Sequence, residues 1–152
     1  MTDQRETTGP VVVGVDGSEA SKQALRWAVR QAEATGGVVL ALMAWDLPHA
    51  HLALGWMPPA TGEEAAVAER AQQELTQIVE EVVGPRPPVE VHAEVRRGTP
   101  ASVLLNAART ASLLVVGSRG HGAFAGLLLG SVAQHCTQHA ACPVLVVRGD
   151  DG

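Results

Sequence analysis

The apolar positions of this chain fall into two patterns that alternate along it. Residues 11–15 (VVVGV), 38–45 (VVLALMAW), 113–116 (LLVV) and 144–147 (VLVV) are short runs without a polar residue, and most are rich in valine. Such runs predict strands buried on both faces, as in a parallel sheet. Between them the period is helical. Ala24, Leu25, Ala28 and Ala32 share one stripe, flanked by Trp27 and Val29, and Val67, Ala71, Leu75, Ile78 and Val82 share another. Residues 89–95 differ, alternating Val and Ala with Glu and His. That alternation predicts a half-exposed strand at or near a sheet edge.

The boundaries carry their own chemistry. Asp16-Gly17 turns the chain and Ser18 can cap a helix that Gly36-Gly37 stops. The second helix, over residues 63–83, ends at Gly84-Pro85. Thr99 can cap a third over residues 101–109, with Pro100 suited to the first helical position. A fourth, around residues 131–140, is broken by Pro143. The order β-α-β-α-β-α-β-α-β predicts a three-layer α/β/α, Rossmann-like domain with an open five-stranded parallel sheet and right-handed crossovers. One domain is expected over residues 1–152, with its core at about 10–148. Residues 47–62 stand outside the pattern. They carry Pro48, Gly55, Pro58, Pro59 and Gly62 with His49, His51 and Trp56, and read either as a lid or as a disordered loop.

Composition narrows the function. Apolar residues are 46% of the 152 and charged residues 18%, which excludes a disordered chain. The net charge of −5 argues against duplex nucleic acid or a membrane surface as partner, since both are anionic. Aromatic residues are 3%, too few for a stacking platform on single strands or around a flavin. Cys136 and Cys142 are no disulfide framework, and MTDQRETTGP has no apolar signal region. The expectation is a cytoplasmic protein without a membrane span.

Chemistry concentrates where strands one and four end. In doubly wound sheets ligands bind beyond the carboxyl ends of the strands, where strand order reverses. Gly14-Val15-Asp16-Gly17 leaves the first strand. Gly117-Ser118-Arg119-Gly120-His121-Gly122 leaves the fourth, after Val116. The loop runs on to Gly130-Ser131, where the last helix begins. A helix N-terminus offers unpaired N–H donors, and glycines let backbone approach a phosphate. This reads as a phosphate cradle built mostly of backbone, in a chain whose one lysine is Lys22. A Walker A motif is excluded because no glycine precedes Lys22. The local Gly120-x-Gly122-x-x-Ala125 follows the wrong strand for a dinucleotide fingerprint. No G-x-S-x-G elbow surrounds Ser118.

Gly117-x2-Gly120-x9-Gly130-Ser131 is similar to the nucleotide-binding pattern of the universal stress protein family, G-x2-G-x9-G-S/T. VVVGVDGSEAS, RRGTPASVLL, LLVVGSRGHG and CPVLVV also resemble that family, so the resemblance covers about residues 11–147. It implies strand order 3-2-1-4-5 and a dimer paired through the last strand. It implies ATP as ligand, with Gly117, Gly120, Gly130 and Ser131 at the phosphates and ribose. Asp16 would meet the nucleotide or its Mg2+, Ala44 would offer backbone to adenine, and Val132 would line the site. Cyclic AMP, bound by some relatives, is the alternative ligand. The function implied is a nucleotide-responsive binding module of the stress response with an unnamed downstream partner. The competing class is a slow ATPase on the same fold, for which Asp16 with Mg2+ is the one evident starting point.

Other residues admit two readings. His135, His139 and Cys142 lie at i, i+4 and i+7, which suits zinc or a plain surface helix, with Cys136 pointing elsewhere. Arg119 and His121 suit a triphosphate or a solvated loop. Arg96-Arg97 reads as a solvated strand end rather than a phosphate clamp. Val144, Leu145, Val146 and Val147 form an apolar edge strand, with only residues 148–152 after it to cover it. Pairing with the same strand of a second copy is the expected remedy.

Overall fold

A computed structural model describes residues 9–47, 63–119 and 129–149. The elements are β1 (Val11–Gly14), α1 (Glu19–Thr35), β2 (Val39–Trp45), α2 (Glu63–Val83), β3 (Val91–Arg97), α3 (Pro100–Ala108), β4 (Leu113–Gly117), α4 (Ser131–His139) and β5 (Val144–Val147). The five strands form one parallel sheet in the order β3-β2-β1-β4-β5. The central strands lack polar residues because both their faces are covered. Val11, Val13, Ala41, Met43 and Val115 pack with α1 and α2 on one side. Val12, Leu42, Leu114 and Val116 pack with α3 and α4 on the other.

The expected caps form. Ser18 accepts from the Ser21 N–H at the start of α1, and Gly36 closes that helix in the left-handed region at φ 74°. Thr99 accepts from the Ser102 N–H, with Pro100 in the first turn of α3. The third strand begins and ends two residues later than its alternation suggests. Pairing with β2 sets its limits, since Val91 lies opposite Val39 and Arg97 opposite Trp45. Arg96 and Arg97 are therefore ladder residues. Arg97 pairs with Asp46 at 3.2 Å and Glu64 at 3.1 Å and stacks over Trp45, which ties α2 to the β2–β3 edge. Its pKa is raised, chiefly by the bond to Asp46. The expected lid or loop is described only at Leu47, which is buried.

Candidate functional site

The sheet's crossover point falls between β1 and β4, and a cavity of about 600 Å³ opens above their carboxyl ends. That volume is in the range of small-molecule sites. Nine of the ten residues expected at the site line it. Gly14 and Asp16 come from the end of β1, and Ala44 from β2. Val116, Gly117 and Arg119 come from β4 and its exit. Gly130, Ser131 and Val132 come from the start of α4. Gly120 and His121 lie outside the described residues.

A turn fixes Asp16. Gly17 takes φ 86°, the Asp16 carboxylate accepts from the Ser18 N–H at 2.9 Å, and the Asp16 N–H donates to the Ser21 hydroxyl at 3.2 Å. The start of α4 is placed by Ser118. Its N–H donates to the Val147 carbonyl at 2.7 Å, and its carbonyl accepts from the Gly130 N–H at 2.7 Å. Ser118 thereby stitches β4 to β5 and holds the helix end over the cavity. Unlike α1 and α3, α4 begins at Gly130 without a side-chain cap, and no side chain among the described residues satisfies its first-turn N–H groups. Those donors and the positive end of the helix dipole suit an anion.

Register decides which way the Ala44 backbone faces. The Val15 N–H donates to the Leu42 carbonyl, so Leu42 turns its backbone toward β1. The Gly98 N–H donates to the Trp45 carbonyl, so Trp45 turns toward β3. Ala44, in step with Leu42, therefore faces the β1 side. β1 has already ended there, at Gly14 opposite Leu42. Among the described residues the Ala44 N–H and C=O thus have no ladder partner on the β1 side and look toward the cavity, a hydrogen-bonding edge of the kind that suits a planar base.

Two site glycines have reasons other than a ligand. A Cβ on Gly117 would lie 2.8 Å from the Ala20 Cβ and 2.9 Å from its carbonyl carbon, so α1 packs directly on this backbone. A Cβ on Gly14 would lie 2.7 Å from Cδ1 of Leu104. The sequence reading also missed several residues. Val103 and Leu104 of α3 supply an apolar wall, and Ser21, Ser118 and Glu74 supply polar groups. Glu74 adds a second carboxylate to the lining, with Asp16 the first. Among the described lining residues these two are acidic and Arg119 is basic.

The universal stress protein family model matches residues 7–148. The chain belongs to this family. A universal stress protein of Mycolicibacterium smegmatis is 40% identical over 144 residues, which are 91% of this chain and 45% of that protein. The chain thus spans just under half the length of the curated relatives it matches. Among solved structures, the universal stress protein UspA of Lactobacillus plantarum superposes with TM-score 0.71 at 23% identity, covering 93% of this chain and 98% of that one. A universal stress protein in complex with cAMP superposes with TM-score 0.62 at 26% identity, covering 95% of this chain and 99% of that one.

Two of the residues weighed as metal ligands have local roles in α4. Cys136 is fully buried in the core, and His135 Nδ1 lies 2.9 Å from the Ser131 carbonyl. Among the described residues, no group of three or more His, Cys, Asp or Glu is placed to hold a metal ion. Burial, with a smaller effect from Cys142, pushes the Cys136 thiol up from 9.0 to about 11. The unfolded thiol ionises first, so its contribution is complete below pH 9 and is lost as pH rises toward 11. Between pH 8 and 10.5 the wild type should lose on the order of 2 kcal/mol more stability than Cys136→Ala. Urea unfolding of both proteins at the two pH values checks this, and parallel losses would contradict it.

Proposed function

We propose that this domain is a cytoplasmic adenine-nucleotide-binding module of the stress response, taking ATP with Mg2+. The observation that carries the reading is the start of α4 at Gly130-Ser131, which has no side-chain cap among the described residues and opens on the cavity that Ala44 also lines. Phosphates would sit against the first-turn N–H groups and the Ser131 hydroxyl, with adenine against Ala44 and Val116. A triphosphate brings about four negative charges beside Asp16 and Glu74, with Arg119 the one basic group among the described lining residues. Mg2+ suits that imbalance, since it is usually held by one or two carboxylates together with substrate phosphates. Asp16 and Glu74 are the residues that would hold it, directly or through water.

Cyclic AMP is the second reading. The relative solved with cAMP favours it, and so does its single negative charge, which asks less of the same lining. Titration calorimetry with ATP, AMP and cAMP, each with Mg2+ and with EDTA, separates the two. For ATP as ligand, EDTA should weaken binding about tenfold or more, while cAMP binding should be indifferent to it. Tight cAMP binding with negligible ATP binding under both conditions would overturn the ATP assignment.

As a binding module the protein should leave ATP largely intact on prolonged incubation with Mg2+. Glu74 gives the competing slow ATPase a second carboxylate, yet hydrolysis also requires stabilisation of the leaving phosphate. The domain is further proposed to pair through Val144, Leu145, Val146 and Val147 of β5 with the same strand of a second copy, and to pass its nucleotide state to a downstream protein.

A further inference from the structure

We infer that Trp27 of α1 is the anchor of a self-association surface that continues from the outer edge of β5, with a second copy of this chain as its occupant. The inference rests on the proposed pairing of β5. β5 is the last strand of the sheet and has no strand neighbour on its outer side among the described residues. The Leu114 N–H donates to the Pro143 carbonyl and the Ser118 N–H to the Val147 carbonyl. Residues 143, 145 and 147 therefore turn their backbone toward β4, and Val144 and Val146 turn theirs outward. Two outward-facing residues are a small interface. Specific interfaces engage ~20–30 residues on each side, so strand pairing by itself falls short.

Helix α1 supplies the missing surface. It packs across β1, β4 and β5, while α2 packs on β2 and β3 of the same face. Lys22 on one flank of α1 reaches Glu81 of α2 at 3.2 Å. The opposite flank therefore looks toward the β5 edge. Ala20 lies on it, close to Gly149, which follows β5. Trp27 is seven residues, two turns, beyond Ala20 and so shares its stripe. Ala20 lies at the carboxyl end of the sheet, so two turns of helix carry Trp27 back toward the start of β5, on the side of the sheet where Leu145 packs. Trp27 is 41% exposed, the one large apolar side chain so exposed among the described residues. Arg30 stacks on the indole at 5.1 Å and restrains it, which lowers the ordering cost of using it as an anchor.

The spacing favours a second copy. Pairing two β5 strands about a two-fold axis joins the sheets antiparallel. With strands ~4.8 Å apart and α1 running over the seam of β4 and β1, the two α1 helices would lie ~14–19 Å apart. Directly packed helices lie ~8–10 Å apart. A gap of that width between the helices needs a large side chain from each, and Trp27 is the residue there. Buried aromatic residues at the centre of an interface dominate its energetics.

Sedimentation of the full chain over a dilution series tests this, with thermal melting as the folding control. Val146→Pro removes an outward N–H and leaves the β4–β5 ladder bonds in place, so it should fold and be monomeric. Trp27→Ala and Trp27→Arg should raise the dimer dissociation constant at least ~30-fold, while Trp27→Phe should retain most of the affinity. Nucleotide affinity should stay within twofold of wild type in all of them. If both disruptive Trp27 variants dimerise like wild type while Val146→Pro is monomeric, Trp27 is not the anchor and the strand pairing stands. A wild type that is monomeric at micromolar concentration overturns the strand pairing and the anchor together.

Discussion

Gly130→Val is expected to lower affinity for adenine nucleotide at least ~100-fold without unfolding the protein. The backbone does not demand glycine here. Gly130 has φ −73° and ψ 171°, an extended conformation open to any residue. Its N–H bond to the Ser118 carbonyl also survives the substitution, so the start of α4 stays in place. What changes is the space. Gly130 lines the cavity where α4 begins, and a branched Cβ there would occupy the approach to the first-turn N–H groups. Ser131→Ala should cost less, ~1–2 kcal/mol, as for one hydrogen bond to a charged group. Titration calorimetry gives both values and circular dichroism checks the fold. Wild-type affinity in a folded Gly130→Val would remove the phosphate cradle from the proposed function.

The sheet was legible because burial on both faces leaves a direct mark on sequence. Residues 113–116 and 144–147 contain no polar position, and the alternation before residue 96 announced an edge strand, which β3 is. Turn and cap chemistry gave the helix starts at Ser18 and Thr99. Local propensity could not place the end of β3. Arg96 and Arg97 look like a solvated terminus, but pairing with Ala44 and Trp45 and the Asp46 and Glu64 carboxylates draw them into the ladder.

The site was legible where its residues are adjacent in sequence and opaque where topology assembles it. Asp16 and Gly130-Ser131 announce themselves through turn and helix-start chemistry. Glu74 sits on the polar face of a long helix, and nothing near it in the chain marks it as a wall of the cavity. Ala44 illustrates a middle case. The residue is plain in sequence, and its placement appears only when β1 is seen to end at Gly14 and leave Ala44 without a ladder partner on that side among the described residues. Gly117 shows the reverse, a motif glycine whose most evident demand comes from the core.

Gly117→Ala should therefore act on stability, lowering it by ~2–3 kcal/mol, in the upper part of the range for overpacking. The new Cβ would stand 2.8 Å from the Ala20 Cβ and 2.9 Å from the Ala20 carbonyl carbon, whereas carbon atoms in contact rest at ~3.5–4.0 Å. No flexible side-chain end is available to yield. Relief requires α1 to move away from β4, and α1 is held by Ala24, Leu25, Ala28 and Ala32, all buried against the sheet. Gly14→Ala makes a contrast, since its Cβ meets the end of the Leu104 side chain, which can turn aside at lower cost. For a domain of this size the Gly117→Ala loss corresponds to a fall in melting temperature of ~5–10 °C. Adding Ala20→Gly removes the closest contact and should restore part of the loss, a coupling that unrelated destabilisation would not show. Thermal melts of the two single variants and the double variant measure it. A Gly117→Ala protein that melts like wild type and has lost nucleotide binding would return Gly117 to the ligand and refute the packing account.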